Sequence, residues 1–166
     1  MSYHREAAYT ANKIDIQKAE LSKKEEYKSI FANSPLYNHY FKKGDLLDKW
    51  ITDAISTGEG YVAVNRNGEA VGWLSMKTSD AYVDGLPNLT LLGVKDTNRG
   101  RGIGQMLISF YEGVMSGLGY KECVIVVNDW NPRARKLYDS LGYKLRKSFD
   151  DPFVGGWVDH MLVKKL

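Results

Sequence analysis

The sequence predicts an α/β fold of the α+β kind, with a mixed sheet, and three observations lead there. Asn67-Gly68 stands between two apolar runs, Tyr61 to Asn65 and Ala70 to Lys77, as a tight turn stands between the arms of a hairpin. A strand-like run from Leu89 to Val94 passes through a glycine-rich turn into apolar residues at helical spacing, and a β-branched run follows from Glu122 to Val127. With 43% hydrophobic and 26% charged residues, a chain of 166 residues is long enough to bury a core of its own.

Taken in order, Ile14 to Ala19 reads as a first strand. Ser22 and Glu25 stand at capping-box spacing and open a helix that Pro35 must end. A second helix runs from the N-cap candidate Asp45 to Thr57, with Leu46, Leu47, Trp50, Ile51, Ala54 and Ile55 on one face and Gly58 as its stop. The hairpin follows, its Asn-Gly pair suited to the positive φ angles of a type I′ turn. Beyond the strand at Leu89, the residues Ile103, Met106, Leu107, Phe110, Val114 and Leu118 mark the inner face of a long helix ending before Gly119. Asn131 caps a last helix whose first residue is Pro132, with Ala134, Leu137, Tyr138 and Leu141 inward and Gly142 at its end. Strands around Tyr143 to Ser148 and Val158 to Lys164 complete the order β-α-α-β-β-β-α-β-α-β-β. Hairpins early and parallel crossovers late imply a mixed sheet covered by helices. No repeat or low-complexity linker interrupts it, so a single domain over residues 1–166 is expected.

The 23 basic and 20 acidic residues nearly cancel, and a net charge of +3 calls for no nucleic-acid or membrane partner. Cys123 is the only cysteine, which fits a reducing compartment. Residues from Met1 to Lys13 are polar and lack the apolar core of a signal peptide. No apolar run approaches the roughly 20 residues that cross a bilayer. The expectation is a soluble cytoplasmic protein. His4, His39 and His160 are scattered, and Asp159 and His160 point to opposite faces of a strand, so no metal site is expected.

The chemistry concentrates in Arg99-Gly100-Arg101-Gly102-Ile103-Gly104, where a strand hands over to a helix. The first amides of a helix lack intrahelical partners and lie at its positive end, so a turn without Cβ atoms lets a phosphate approach and collect N–H donors. Three glycines also serve a turn that does nothing but reverse the chain. A Walker loop would need Gly-Lys-Ser/Thr at its end, and a dinucleotide fingerprint beginning at Gly100 would need glycine or alanine in place of Gln105. Neither pattern is present.

Arg99-x-x-Gly102-x-Gly104 resembles the Arg/Gln-x-x-Gly-x-Gly/Ala signature of the GNAT N-acetyltransferases. The preceding Leu92-Gly93-Val94 is similar to the strand segment that in this family hydrogen-bonds the pantetheine arm and turns a backbone amide toward the thioester carbonyl. Downstream, Asn128, Asn131, Ala134, Leu137-Tyr138 and Gly142-Tyr143 are similar in type and spacing to the family's second coenzyme motif. The resemblance covers Leu89 to about Lys147. It implies a GNAT-like acyl-CoA N-acyltransferase fold, a central, mostly antiparallel twisted sheet with helices on both faces, and acetyl-coenzyme A as cosubstrate in the splayed gap between two parallel strands. By the same resemblance Leu92 and Val94 meet the coenzyme arm. The amides of Arg99, Gly100, Arg101, Gly102, Ile103, Gly104 and Gln105 hold its pyrophosphate, Asn131 contacts its arm, and Tyr138 faces its sulfur.

Spacing alone makes Tyr138 a core aromatic beside Ala134, Leu137 and Leu141; the resemblance makes it the general acid. A phenol near pKa 10 can hydrogen-bond or protonate a departing thiolate whose parent acid is near 8.5. The attacking amine must shed a proton, since an ammonium with a pKa of about 10.4 has no lone pair to offer. In the family an acid near the fourth strand often takes that proton. Leu89 to Val94 contains none, and Asp80, Asp84 or water stand as candidates. Arg101, Arg133, Arg135 and Lys136 are available to coenzyme phosphates or simply solubilise the surface. Cys123 opens an apolar strand, where a lone cysteine is most often inert, so direct transfer is favoured over an acyl-enzyme.

The function expected is N-acetylation of a primary amine on a small molecule or peptide. Its rival is a catalytically idle acyl-coenzyme A-binding module or sensor, which keeps the phosphate turn but lacks a proton acceptor. Tyr37, Tyr40, Phe41 and Trp50, with Tyr82 and Trp130, are candidates to line an acceptor site or to pack a core. Family habit adds a homodimer. The turn carries the first test. Acetyl-coenzyme A at millimolar concentration should raise the melting temperature while NAD and ATP should not, because a ligand that binds only the native state must stabilise it.

Overall fold

A computed structural model describes residues 13–166. The polar start at residues 1–12, with His4, lies outside the described residues. Seven strands, β1 Asp15–Lys18, β2 Gly60–Val64, β3 Ala70–Asp80, β4 Leu86–Val94, β5 Glu122–Asn128, β6 Lys144–Asp150 and β7 Val158–Lys165, join in the order β1-β2-β3-β4-β5-β7-β6. The pairs β1–β2, β2–β3, β5–β7 and β6–β7 are antiparallel, whereas β4 runs parallel to β5 through Asn88↔Val124 and Leu89↔Ile125. This is the mixed sheet that the hairpin and the crossover implied. The α-helices are α1 Lys24–Ser29, α2 Leu46–Ser56, α3 Ile103–Gly117 and α4 Pro132–Ser140. None is long and apolar enough to cross a membrane. The chain forms two compact units, Met1–Ser75 with Leu91–Ile108 and Met76–Thr90 with Ser109–Leu166.

The first unit is centred on Tyr27, Phe31, Ile51 and Trp73, each at most 1% exposed, with the Tyr27 and Trp73 rings 5.5 Å apart. Its first helix departs from the expected one. Leu21–Lys23 form a 3-10 turn, no side chain caps α1, and the Ser22–Glu25 capping box does not form. The helix also ends at Ser29 rather than near Pro35, because Asn33 turns left-handed at φ 60° and Ser34 Oγ then accepts the amide of Tyr37 at 3.0 Å. Pro35 therefore leads into a π-helical turn, Tyr37–Phe41. Helix α2 forms where its stripe placed it, burying Leu47 and Ile51, with Gly58 left-handed at its end.

The β2–β3 hairpin stands, but its turn is not type I′. Asn67 does not take positive φ; Gly68 alone does, at 78°. Asn65 decides this, since its Oδ1 accepts the amides of Asn67 and Glu69, each at 3.0 Å, while its carbonyl accepts that of Gly68 at 3.0 Å. A side chain that mimics a backbone turn has replaced the paired left-handed residues.

In the second unit β7 lies between β5 and β6, in register from Glu122↔Lys165 to Asn128↔Asp159. Helix α3 reaches into this unit and shows a second departure. Met106 and Leu118 are 40% and 60% exposed, while Ile103, Leu107, Ile108, Tyr111 and Met115 are buried. Two rows at spacing four run side by side on such a helix. The buried row contains Tyr111, whose hydroxyl donates to the Val124 carbonyl at 3.0 Å and accepts the Val124 amide at 3.2 Å. Cys123 is wholly buried, and burial pushes its thiol pKa up, so it has no activated thiolate to offer.

One glycine of β4 is set by packing. A Cβ at Gly93 would lie 2.4 Å from Cε1 and 2.7 Å from Cζ of the buried Phe31 ring. Gly93→Ala should cost about 1–3 kcal/mol of stability, as overpacking does. In urea unfolding, Phe31→Leu should absorb part of that cost, giving the non-additivity expected of two residues in contact.

Candidate functional site

The glycine-rich turn lies in the first unit, between the end of β4 and the start of α3. After Val94 the Lys95 amide bonds the Val71 carbonyl of β3 at 2.9 Å, and Asp96–Asn98 make one 3-10 turn. Arg99 is extended, and its Nε donates back to the Val94 carbonyl at 3.1 Å, which folds the turn against the strand it has just left. Gly100 and Gly102 follow at φ 75° and 81°, conformations that a Cβ penalises by about 1–2 kcal/mol. A Cβ at either would meet nothing within 4 Å, so backbone conformation and not crowding calls for glycine, and the space above both is open to a ligand. The first helical bond of α3 runs from Met106 N to Gly102 O at 3.0 Å. The amides before Met106 therefore head out of the helix at its positive end, beside exposed Arg101 and Gln105. Ile103, 3% exposed, anchors this end, and Gly104 clears Val94 with room for a Cβ at 3.8 Å. Leu92 and Val94 are half-buried on β4.

In the second unit, Asn131 Oδ1 accepts the Ala134 amide at 3.3 Å and caps α4 as its spacing predicted. Its Nδ2 stays available as a donor to a ligand. Tyr138 is 9% exposed, with its ring edge-on to Tyr143 at 6.3 Å between centroids. Its hydroxyl has no hydrogen-bond partner among the described residues. Desolvation pushes its pKa up to about 12, so it holds its proton throughout the neutral range. Arg135 is taken by Asp139 one turn on, at 2.9 Å, in an exposed ion pair, while Arg133 and Lys136 face solvent.

Of the two carboxylates upstream of β4, Asp84 is exposed at a left-handed φ of 61° and ion-paired with Lys147 at 2.8 Å. Asp80 accepts the Tyr82 amide at 3.1 Å through Oδ1 and Asn88 Nδ2 at 2.9 Å through Oδ2. Sequence reasoning missed a deeper group. Asp159 of β7 is 3% exposed, and it accepts from the Tyr82 hydroxyl through Oδ2 and from Asn128 Nδ2 through Oδ1. The same Asn128 nitrogen donates to Asp151 Oδ2 at 3.1 Å. Alternation held the clue, since Asp159 shares a strand face with the buried Met161 and Val163. The six aromatics considered for an acceptor site separate. Tyr37, Tyr40, Phe41 and Trp50 gather in the first unit, where Tyr37 and Phe41 line a cleft of about 320 Å³ with Lys28, Asp45 and Asp48. Tyr82 meets Phe149, and Trp130 meets Trp157, in the second.

A strand, a left-handed glycine turn with open amides and a helix make the kind of turn that suits an anion in an α/β fold. The family model of the acetyltransferase (GNAT) family matches residues 24–143, and the chain belongs to that family of acyl-coenzyme A-dependent acyltransferases. No curated protein matches the chain. Among solved structures, a GNAT-family acetyltransferase from Bacillus cereus ATCC 10987 is 17% identical over 92% of this chain and 97% of that one, with a TM-score of 0.69. Arabidopsis thaliana NAA60, in complex with a bisubstrate analogue, is 19% identical over 92% and 98%, with a TM-score of 0.71. Arabidopsis thaliana Naa50, in complex with the bisubstrate analogue CoA-Ac-MVNAL, is 20% identical over 92% and 99%, with a TM-score of 0.68. These likenesses show the fold.

Gly102→Val tests the turn. A branched side chain at φ 81° should lower stability by about 1–2 kcal/mol and should weaken acetyl-coenzyme A binding at least tenfold, by calorimetric titration well below the melting temperature. Unchanged affinity in the folded variant would remove the phosphate from this turn.

Proposed function

We propose that this chain is an acetyl-coenzyme A-dependent N-acetyltransferase that moves the acetyl group to a primary amine of a small molecule or peptide by direct attack in a ternary complex. The observation that carries the reading is the Arg99–Gly104 turn, with its open amides, in a chain of this family. The amides of Arg99 to Gln105 receive the pyrophosphate, and Leu92, Val94 and Asn131 receive the arm. The amide near Val94 stabilises the oxygen on which charge develops, a contribution of about 3 kcal/mol for one such donor. The reading takes residues 1–166 as one N-acetyltransferase domain, cytoplasmic and homodimeric; the lone buried Cys123 supports the first of these two and family habit the second. A peptide acceptor draws support from the peptide-bearing analogue bound to Naa50.

Tyr138 is the acid, and its surroundings define how. A phenol at about 12 does not hand its proton fully to a thiolate of parent pKa near 8.5, which would run uphill by about 5 kcal/mol. It serves as a fixed donor that stabilises the sulfur as negative charge collects there. A hydroxyl kept in a desolvated place with no protein partner fits that task, and it weighs against the idle binding module, which has no use for it.

Thiol release from acetyl-coenzyme A with a panel of amines and short peptides tests the reading; release with none of them would favour the sensor. Within that assay Tyr138→Phe keeps the ring and its packing. Its kcat should fall roughly 100-fold with coenzyme affinity and urea midpoint nearly unchanged. Full turnover in the variant would return Tyr138 to the core.

A further inference from the structure

We propose that Tyr82 takes the proton of the acceptor amine as its own hydroxyl hydrogen passes to Asp159, so that this pair is the base that β4 lacks. The proposal rests on the acetyl-transfer reading above. In the step, an N–H bond of the bound ammonium breaks toward Tyr82 Oη while the Oη–H bond breaks toward Asp159 Oδ2. A neutral amine, an intact phenol and a protonated carboxyl result, and the carboxyl returns its proton to solvent between turnovers.

The geometry carries this. Asp159 sits in the middle of three strands, paired across to Asn128 of β5 and Phe149 of β6. Both of its oxygens are held, one by Asn128 Nδ2 and one by the Tyr82 hydroxyl. Tyr82 is half-buried and fixed from three sides: its ring stands edge-on to Phe149 at 5.0 Å and 90°, its amide is bound to Asp80, and it packs against Val83, Val124 and Met161. The phenol hydrogen is thus committed to a buried carboxylate.

The charge around Asp159 points the same way. A buried carboxylate is normally paired with a cation. Here the neighbours are the neutral donors Tyr82 and Asn128, with the further carboxylates Asp151 on the Asn128 side and Asp80 behind Tyr82. Lys147 of β6 lies 5.8 Å over the Phe149 ring but is paired with Asp84, and His160 bonds Ser148. No basic side chain bonds Asp159 among the described residues. Burial, and after it the charge of Asp151, raise its pKa, which makes it a better proton acceptor than a surface carboxylate.

A second observation marks the same face as a place for an N–H donor. Asn88 of β4 is 3% exposed and stands in register with Val124, whose side chain belongs to the cluster that Tyr82 packs on. Its Nδ2 is spent on Asp80, and its Oδ1 has no partner among the described residues. Asp80 and Asp84 are poorer bases by geometry: both donors to the first are amide nitrogens, which pass no proton on, and the second is tied to Lys147.

The test measures kcat against pH at saturating acetyl-coenzyme A and acceptor for the wild type, Tyr82→Phe and Asp159→Asn, with the coenzyme-induced rise in melting temperature recorded for each. Tyr82→Phe should lose about 100-fold in kcat while keeping that thermal rise. Asp159→Asn should lower kcat and move the acid limb of the profile upward to the ionisation of the acceptor amine itself, because an amidated partner cannot receive the Tyr82 hydrogen. A purely structural pair would lower stability in both variants and leave the shape of the profile alone. Wild-type kcat in Tyr82→Phe overturns the proposal. Should Tyr82→Phe not fold, the Asp159→Asn profile decides, and an acid limb that stays where the wild type has it overturns the proposal equally. A wild type that turns over no acceptor overturns the acetyl-transfer reading and this step together, whereas an active wild type with an indifferent Tyr82→Phe overturns this step alone.

Discussion

The chain leaves β4 at Val94 and must be helical again by Ile103, and the rest of the site depends on how it makes that passage. Arg99 folds back onto the Val94 carbonyl, and two left-handed glycines bring the backbone round, so that α3 begins with its unpaired amides beside the strand end. The helix can seat there because β3 presents Gly72 beneath it. A Cβ at Gly72 would lie 3.1 Å from Ile103 Cγ2 and 3.0 Å from Leu107 Cδ1, so a larger residue would oblige those side chains to give by a few tenths of an ångström. The proposed anion site is thus built from backbone conformation and close packing, with charged side chains secondary.

Packing in β4 serves the same end. Gly93 accepts the Phe31 ring where any Cβ would collide, which ties the strand carrying Leu92 and Val94 to the aromatic core of the first unit. The core around it is buried throughout and includes the aromatic rings of Tyr27, Phe31, Phe41 and Trp73, a setting that leaves little freedom for the strand to shift.

The proposed acid and the proposed base are separated by environment rather than by residue type. Tyr138 is desolvated with no partner for its hydroxyl, so its proton stays on and can only be shared. Tyr82, another phenol, is hydrogen-bonded to a carboxylate that burial has made more basic, so its proton has somewhere to go. In the proposed mechanism two identical functional groups take opposite roles in this way.

The sequence by itself determined the order of elements along the chain, the hairpin, the crossover through α3 and the cap of α4, because those rest on local periodicity and on glycine, proline and asparagine chemistry at fixed spacing. It also marked the Arg99–Gly104 turn and Tyr138, whose motifs are contiguous. Long-range packing decided the rest. Which of two adjacent rows on α3 faces inward depended on Tyr111 finding the backbone of Val124. The turn at Asn67 depended on the Asn65 side chain, and the early end of α1 on Asn33 and Ser34. Most of all, the partnership of Tyr82, Asn128, Asp151 and Asp159 joins residues up to 77 positions apart. A hydrogen bond of that kind leaves no periodic trace in a sequence, since only the tertiary arrangement of the turn before β4 and of β5, β6 and β7 brings its members together.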